Sequence, residues 1–577
     1  MITLAATAAM ALHLNAQTLA PNYKQIGEGN PISSNVFCAD PTALDYNGRL
    51  YVYGSNDHQQ FIKNGKKNSN GYGDIKSLVV FSTDDLVNWT FHGTIDVAKV
   101  CSSWTTSPWY RGFGVSWAPS VTWRYAEDGT PEFFLYFCNS SHGIGVLTAS
   151  SPVGPWKSPL KELMIHRDTP GATPCSAVFD PGVVIDDNGV GWITFGGLDP
   201  VDGGTTIEPK NARIAKLKPS MTALDGQPTR IQAPYHFEAN ELNVMDGKFV
   251  YTYCSSWAER KDADWNAYKK AHGVTLQKPG ACTMCYMVSD NPTDPSSWVY
   301  KGVYGAHPGF PSPNNHSHLH KFQGNYYYIY HWGPLMQRMK DANAIDGSCD
   351  GFRSICVNKA TVNEQTQTVN SVTMNRTGIS GGIKKMNPYE LQQAETMSTS
   401  GGVSYEDFRN TATKPSINTL GNDASLNMYI KMAENAWTLV RNVDFGDDGP
   451  KSFILRAKGK GTLRIMKSKN TEPLATIEFS SNTFANQLFE VDPALFKGTH
   501  NLLFAFSNVA SAQFDAWQFS KEEVSGISTV SGEAAPRVTR RFDLSGRPLD
   551  GNSGHRGVIV EQYQDADGHK ATRKRIQ

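Results

Sequence analysis

Five times along this chain a glycine-containing turn launches an aromatic-rich strand. The copies are Asn47-Gly48 ahead of LYVYGS, Gly129 ahead of PEFFLYFCNS, Asn188-Gly189 ahead of WITFGG, Asp246-Gly247 ahead of FVYTYCSS and Gln323-Gly324 ahead of YYYIYHW. Each reads as a hairpin turn followed by a strand of period two. A unit recurring about every 55 to 80 residues points to a radial repeat. The closed form for five such units is all-β, a five-bladed β-propeller around a central channel.

Chemistry-bearing side chains recur in phase with these turns. Asp40 precedes Gly48 by 8 positions, Asp180 precedes Gly189 by 9, Glu238 precedes Gly247 by 9 and His316 precedes Gly324 by 8. The remaining repeat carries Trp117, Ala118 and Pro119 at a slightly longer offset. If the repeats are equivalent blades, three carboxylates, an imidazole and an indole meet at one mouth of the channel, which is a candidate enzyme pocket. The plainer reading is that an Asp beside Pro, as in Asp40-Pro41 or Asp180-Pro181, is a turn residue. A lone Glu among apolar neighbours, as in PYHFEANEL, commonly partners an Arg or a backbone amide. The shared phase favours the pocket, because turn acids need not recur at a fixed offset from a strand.

At 577 residues the chain is too long for one core. With 54 basic and 54 acidic side chains there is no net charge to recruit a nucleic acid. Aromatics at 11% beside only 19% charged residues suit a β-rich protein with stacking surfaces for neutral polar rings. The opening MITLAATAAMALHLNA, residues 1–16, reads as a secretory signal whose positive leader is lacking. No other apolar run is long enough to span a membrane. Nine cysteines leave at least one thiol unpaired. Cys282 and Cys285 form a CxxC with no second half to complete a zinc site.

Residues 25–380 hold the repeats, and GISGGIKKMNP at 378–388 reads as a linker. Residues 389–521 resume as short alternating strands, among them KSFILRAKG, GTLRIMKS, THNLLFAFSN and FDAWQFS, and suggest a β-sandwich of jelly-roll type. A polar stretch at 521–536 leads to a short, basic, strand-rich tail at 537–577.

The motifs NPISSNVFCADPTAL, SWAPSV, VFDPGVVIDDNG, APYHFEANEL, NNHSHLHKFQGNYYYIYH and DGFRSICVNK occur in one order along the repeats. Together they resemble glycoside hydrolase family 43, of the bacterial arabinoxylan arabinofuranohydrolase and xylosidase/arabinofuranosidase type, joined to a family 6 carbohydrate-binding module. The resemblance implies a five-bladed propeller and an inverting exo-glycosidase that releases α-L-arabinofuranose from arabinoxylan or its oligosaccharides. A β-D-xylosidase or bifunctional enzyme is the alternative, and a non-catalytic carbohydrate-binding protein the remote one. It implies Asp40 as general base, Glu238 as general acid and Asp180 as the carboxylate that tunes and orients the acid. Trp117, Arg353 and His316 would contact substrate, and His316 would lie beside a channel calcium or water. Glu241 would rim the pocket. Inversion implies Asp40 and Glu238 carboxyls about 6.5–9.5 Å apart.

In the second segment the same resemblance implies a structural calcium on Gln393, Glu395 and Asp515. Trp437 stands where the module has an aromatic, as core or as sugar platform. The tail resembles the C-terminal sorting domains of exported Bacteroidetes-type proteins, which implies a secreted, periplasmic or cell-surface enzyme of a Gram-negative bacterium.

Overall fold

The computed structural model describes residues 18–64, 67–105, 112–198, 207–257, 260–307, 309, 314–407, 428–524, 537–543, 558–564 and 570–576. The signal read over residues 1–16 and most of the linker at 521–536 lie outside them. The chain divides into two compact units, residues 1–522 and 523–577. The described elements are almost entirely antiparallel β-strands.

The larger unit opens with five antiparallel sheets, each a meander in chain order. The first comprises β1 (Ala39–Tyr46), β2 (Arg49–Ser55), β3 (Leu78–Thr83) and β4 (Trp89–Ile95). The second comprises β5 (Trp117–Tyr125), β6 (Pro131–Cys138), β7 (Gly143–Ala149) and β8 (Ile165–His166). The third comprises β9 (Gly182–Ile185), β10 (Gly191–Phe195), β11 (Ala212–Lys216) and β12 (Thr229–Ile231). The fourth comprises β13 (His236–Met245), β14 (Lys248–Ser255), β15 (Met284–Ser289) and β16 (Val299–Gly305). The fifth comprises β17 (Ser317–Phe322), β18 (Asn325–Trp332) and β19 (Ser354–Ala360). The aromatic runs that follow the glycine turns are the second strands β2, β6, β10, β14 and β18. Three of the turns, at Asn47-Gly48, Asp246-Gly247 and Gln323-Gly324, place both central residues at positive φ. That is the twist a two-residue hairpin requires.

Apolar clusters lie between successive sheets. Tyr53 and Leu78 meet Phe133 and Leu135 between the first and second, and Tyr136 and Val146 meet Ile193 and Phe195 between the second and third. Ile214 meets Tyr251 and Met287 between the third and fourth, and Met284 and Tyr286 meet Tyr328 and Cys356 between the fourth and fifth. A fifth cluster joins Ile329 and Val357 of the last sheet to Val52 and Phe81 of the first. Each sheet is covered on both faces, so strands such as β3 are buried at every residue. The first strands follow one another around the axis, and β17 returns to contact β1.

A short hairpin, β20 (Val362–Asn363) with β21 (Thr368–Val369), follows. Then β22 (Gln392–Gln393) pairs with a later strand, and β23 (Thr396–Met397) adds a fifth strand to the first sheet beside β4. A large sheet follows, ordered β24 (Thr399–Asp407), β25 (Met428–Asp444), β28 (Thr499–Ser520), β26 (Ser452–Met466), β27 (Ala475–Glu490). Sequence patterning suggests short strands here, but KSFILRAKG and GTLRIMKS are one strand, as are THNLLFAFSN and FDAWQFS. The apparent breaks are bulges. Gly459, Asn508 and Ser511 have positive φ, and the register shifts there without ending the pairing. The smaller unit is a meander of β29 (Arg537–Asp543), β30 (Val558–Gln564) and β31 (Lys570–Ile576).

Candidate active site

The first strands of the second and fourth sheets are bulged where they begin, and so is β1. Register slips between Ala39 and Thr42, between Trp117 and Ser120, and between Glu238 and Glu241. At each slip one residue is left-handed, namely Asp40 (φ 49°), Ala118 (35°) and Ala239 (60°), and Asp180 just before β9 matches them (48°). A non-glycine residue there costs about 1–2 kcal/mol. Four such residues at equivalent positions mark backbone aimed by the fold rather than relaxed into loops. The Asp-Pro pairs therefore do turn the chain, and in turning it they direct their carboxyls inward.

All six pocket residues expected from sequence line one cavity of about 220 Å³: Asp40, Trp117, Asp180, Glu238, His316 and Arg353. Tyr72, Phe179, Leu198, Asn314 and Asn315 complete much of the wall.

The three carboxyls differ in what surrounds them. Asp40 accepts from Ser55 Oγ at 2.7 Å through Oδ2 and from Arg353 Nη1 at 2.7 Å through Oδ1. Burial is the largest influence and raises its pKa, but the groups around it, the Arg353 guanidinium first among them, together hold the carboxyl well below the usual range. The His331 ring, buried and driven neutral, accepts the Asp40 amide N–H through Nδ1 at 3.1 Å. Its 3.2 Å approach to Oδ1 is therefore a packing contact rather than an ion pair. His316 is likewise neutral, since burial lowers its pKa to about 3.

Glu238 is the opposite case. Burial, then the nearby Asp180 and Asp40 charges, push its pKa far up. Asp180 is pushed the same way by burial, although the Ala239 N–H donates to its Oδ2 at 2.8 Å. Two buried carboxyls that repel one another in this way do not both ionise. Donors decide between them. Asp180 has the Ala239 amide and the Cys138 thiol at 3.6 Å, whereas Glu238 Oε1 has no partner. The proton resides on Glu238.

Sequence reasoning missed several residues. Ser55 and His331 sit inside aromatic strands and read as core. Tyr72, in the loop SNGYG, lies 5.0 Å from the Arg353 guanidinium, and its carbonyl accepts from Trp117 Nε1 at 3.1 Å. Glu241 does not rim the pocket. The bulge adds one residue between it and Glu238, so both point to the same side of β13. Glu241 is fully buried, 3.1 Å from His318 Nδ1, and burial holds it neutral.

A cavity holding one anionic and one protonated carboxyl is equipped for acid–base cleavage of a glycosidic bond. The family model for glycosyl hydrolases family 43 matches residues 28–365, more than half of the chain. The chain belongs to glycosyl hydrolase family 43. An arabinoxylan arabinofuranohydrolase from Paenibacillus polymyxa is 32% identical over 563 residues, covering 95% of this chain and 82% of the relative. One from Bacillus subtilis is 32% identical over 515 residues, covering 86% of this chain and 93% of the relative. The crystal structure of a family 43 arabinoxylan arabinofuranohydrolase from Bacillus subtilis, in complex with cellotetraose, superposes with a TM-score of 0.73. It is 31% identical, covering 86% of this chain and 99% of that one. The protein is thus a glycoside hydrolase.

Outside the pocket of this family 43 hydrolase, β22 pairs with β28 and brings Gln393 and Glu395 near Asp515. Both carboxylate oxygens of Glu395 and Oε1 of Gln393 are buried without a hydrogen-bond partner. Burial raises Glu395 strongly and Asp515 to about 6, the latter against the pull of Arg456, whose Nε donates to Asp515 Oδ2. Orphaned oxygens of this kind fit a hard cation such as calcium. Among the described residues no group of three His, Cys, Asp or Glu side chains is arranged to hold a metal, so this set depends on the Gln393 amide. His316 lines the cavity, and its Nε2 is buried without a hydrogen-bond partner. Trp437 is fully buried, and its Nε1 donates to the Ala20 carbonyl at 2.8 Å. With Lys469 Nζ 4.1 Å from its ring, it is core and presents no sugar platform. No helix among the described residues is long and apolar enough to cross a membrane.

Proposed function

We propose that this glycoside hydrolase is an inverting, exo-acting α-L-arabinofuranosidase that removes terminal arabinofuranose from arabinoxylan or its oligosaccharides. The observation that carries the reading is two carboxyls on one small cavity in opposite surroundings, Asp40 held by Arg353 and Ser55 and Glu238 with a buried oxygen that has no partner. Asp40 is the general base that takes a proton from water. Glu238 is the general acid that protonates the leaving oxygen. Asp180 holds that acid in place and keeps its pKa raised. The mechanism requires the Asp40 and Glu238 carboxyls to lie about 6.5–9.5 Å apart, which leaves room for the water. Trp117, Arg353 and His316 bind the sugar ring, with His316 beside a channel calcium or water. The cavity is below the size usual for drug-like ligands and suits a single sugar ring rather than a chain. Phe237, next to the acid in the chain, packs on Trp257, which is half-exposed. A leaving xylose unit would rest there.

In this reading the five sheets are a five-bladed β-propeller spanning residues 25–380. Residues 389–521 are a sandwich of family 6 type that braces the first blade through β23, and the 537–577 tail serves sorting at the surface of a Gram-negative cell or outside it. Gln393, Glu395 and Asp515 would hold a calcium ion. At calcium 100 times its Kd that ion would add about 2.7 kcal/mol of stability. Chelation is expected to lower the thermal unfolding midpoint, calcium to restore it, and Glu395→Gln to abolish the response. A midpoint indifferent to chelator would remove calcium from this set.

The function itself is tested with 4-nitrophenyl α-L-arabinofuranoside, 4-nitrophenyl β-D-xyloside and wheat arabinoxylan. Arabinose is the expected product, appearing first as the β anomer by NMR. Xylose as the main product would favour the xylosidase alternative. Well-folded protein that hydrolyses none of the three would be a carbohydrate-binding protein.

A further inference from the structure

Arg353 touches Asp40 with only one of its nitrogens. Its Nε and Nη2 donate instead to a residue outside the cavity, Asp57. Arg353 Nε donates to Asp57 Oδ2 at 2.9 Å and Nη2 to Asp57 Oδ1 at 2.9 Å. The Arg353 backbone N–H donates to the same Oδ2 at 3.0 Å. Asp57 is the first residue of the helix Asp57–Asn64 and is 0% exposed. It stands 296 positions from Arg353 in the chain, so the contact exists only when the last sheet closes on the first.

The geometry constrains the guanidinium closely. Its Nε/Nη2 edge is held by a bidentate carboxylate, the most directional partner an arginine has. Tyr72 lies 5.0 Å from it. With that edge fixed, Nη1 has one direction left, toward Asp40 Oδ1 at 2.7 Å and Asn314 Oδ1 at 3.1 Å. A second consequence is electrostatic. Arg353 divides one positive charge between two buried carboxylates. Were Asp57 absent, the whole charge would bear on Asp40, and a carboxylate so strongly stabilised would be a weaker base.

We propose that Asp57 is a positioning residue for the hydrolysis: it locks the guanidinium of Arg353 so that Nη1 meets Asp40 in one fixed geometry. This rests on the assignment of Asp40 as the base. It differs from a purely structural salt bridge, because its effect passes through Arg353 into turnover.

The test is a double-mutant cycle on 4-nitrophenyl α-L-arabinofuranoside. Asp57→Asn keeps the size of the side chain and an acceptor for the Arg353 N–H but loses the charge and one arm of the fork. It is expected to lower kcat about 10- to 100-fold, with KM changed less than about threefold, as for a group displaced by a fraction of an ångström. Arg353→Lys already loses the fork, so adding Asp57→Asn to it should cost less than about a further threefold. If the two losses multiply, or if Asp57→Asn retains wild-type kcat, the proposal is overturned. Circular dichroism and the unfolding midpoint establish that each variant is folded. Should Asp57→Asn not fold, Asp57→Glu takes its place in the same cycle. It keeps the charge and shifts the fork by one methylene, with the same pattern expected. Failure of the base assignment is read separately, as near-full activity of Asp40→Asn, and does not depend on the coupling between Asp57 and Arg353.

Discussion

Glu238→Ala is expected to lower kcat on arabinoxylan by about 10²–10⁴-fold, the usual worth of a positioned acid. The loss should depend on the leaving group. A xylose hydroxyl leaves as a poor anion and needs a proton as the bond breaks. 4-Nitrophenolate departs without help, so the same variant should lose much less on the nitrophenyl arabinofuranoside. A structural defect would not make this distinction. The pH profile gives a second check. Glu238 must be protonated to act, and its pKa lies far above the ordinary carboxylate range through burial and then Asp180. Activity is therefore present below that raised pKa and lost as pH rises through it. Asp180→Asn removes one of the like charges, so the alkaline limb should move toward lower pH. An unmoved limb, or equal losses of Glu238→Ala on both substrates, would take the acid role from Glu238.

How much of this was legible in the sequence depends on the range of the interaction. The repeat was legible because a positive-φ turn and a two-faced aromatic strand are local demands, satisfied at Asn47-Gly48 and Gln323-Gly324 by the residues themselves. The convergence of Asp40, Asp180 and Glu238 followed from equal offsets, since equivalent strands deliver equivalent positions. Asp57 carried no such signal: it opens a short helix, and its partner is almost three hundred positions away. Glu241 was misplaced because what covers it is remote in sequence: the bulge turns it to the side of Glu238, but there it is fully buried beside His318 of β17. Gly459 and Asn508 misled in another way. Residues that suit turns also suit bulges, so short strands were expected where long bent ones occur. Trp437 looked equally fit for core or surface. The segment that buries it, around Ala20, comes from the other end of the chain.

Asp40→Asn is expected to lower kcat by about 10⁴-fold on every substrate, whatever the leaving group. Water is a poor nucleophile until its proton is accepted, and an amide does not accept it. The substitution otherwise disturbs little. Asparagine tolerates the left-handed backbone at this position. Its carbonyl can still accept from Arg353 Nη1 and its amide can donate to Ser55 Oγ, so the two present partners are kept. The main cost is one buried charge beside an arginine that Asp57 continues to neutralise. Added azide sharpens the prediction. It is already anionic and attacks without a base, so it should restore turnover of the nitrophenyl substrate by Asp40→Asn and yield the β-arabinofuranosyl azide. Were Asp40 instead a nucleophile in a retaining mechanism, azide would enter the vacated face and give the same anomer. The wild-type enzyme would then release α-arabinose as its first product, however, and the NMR time course tells the two apart. Asp40→Asn with near wild-type turnover, or α-arabinose from the native enzyme, would end the assignment of this carboxylate as the base.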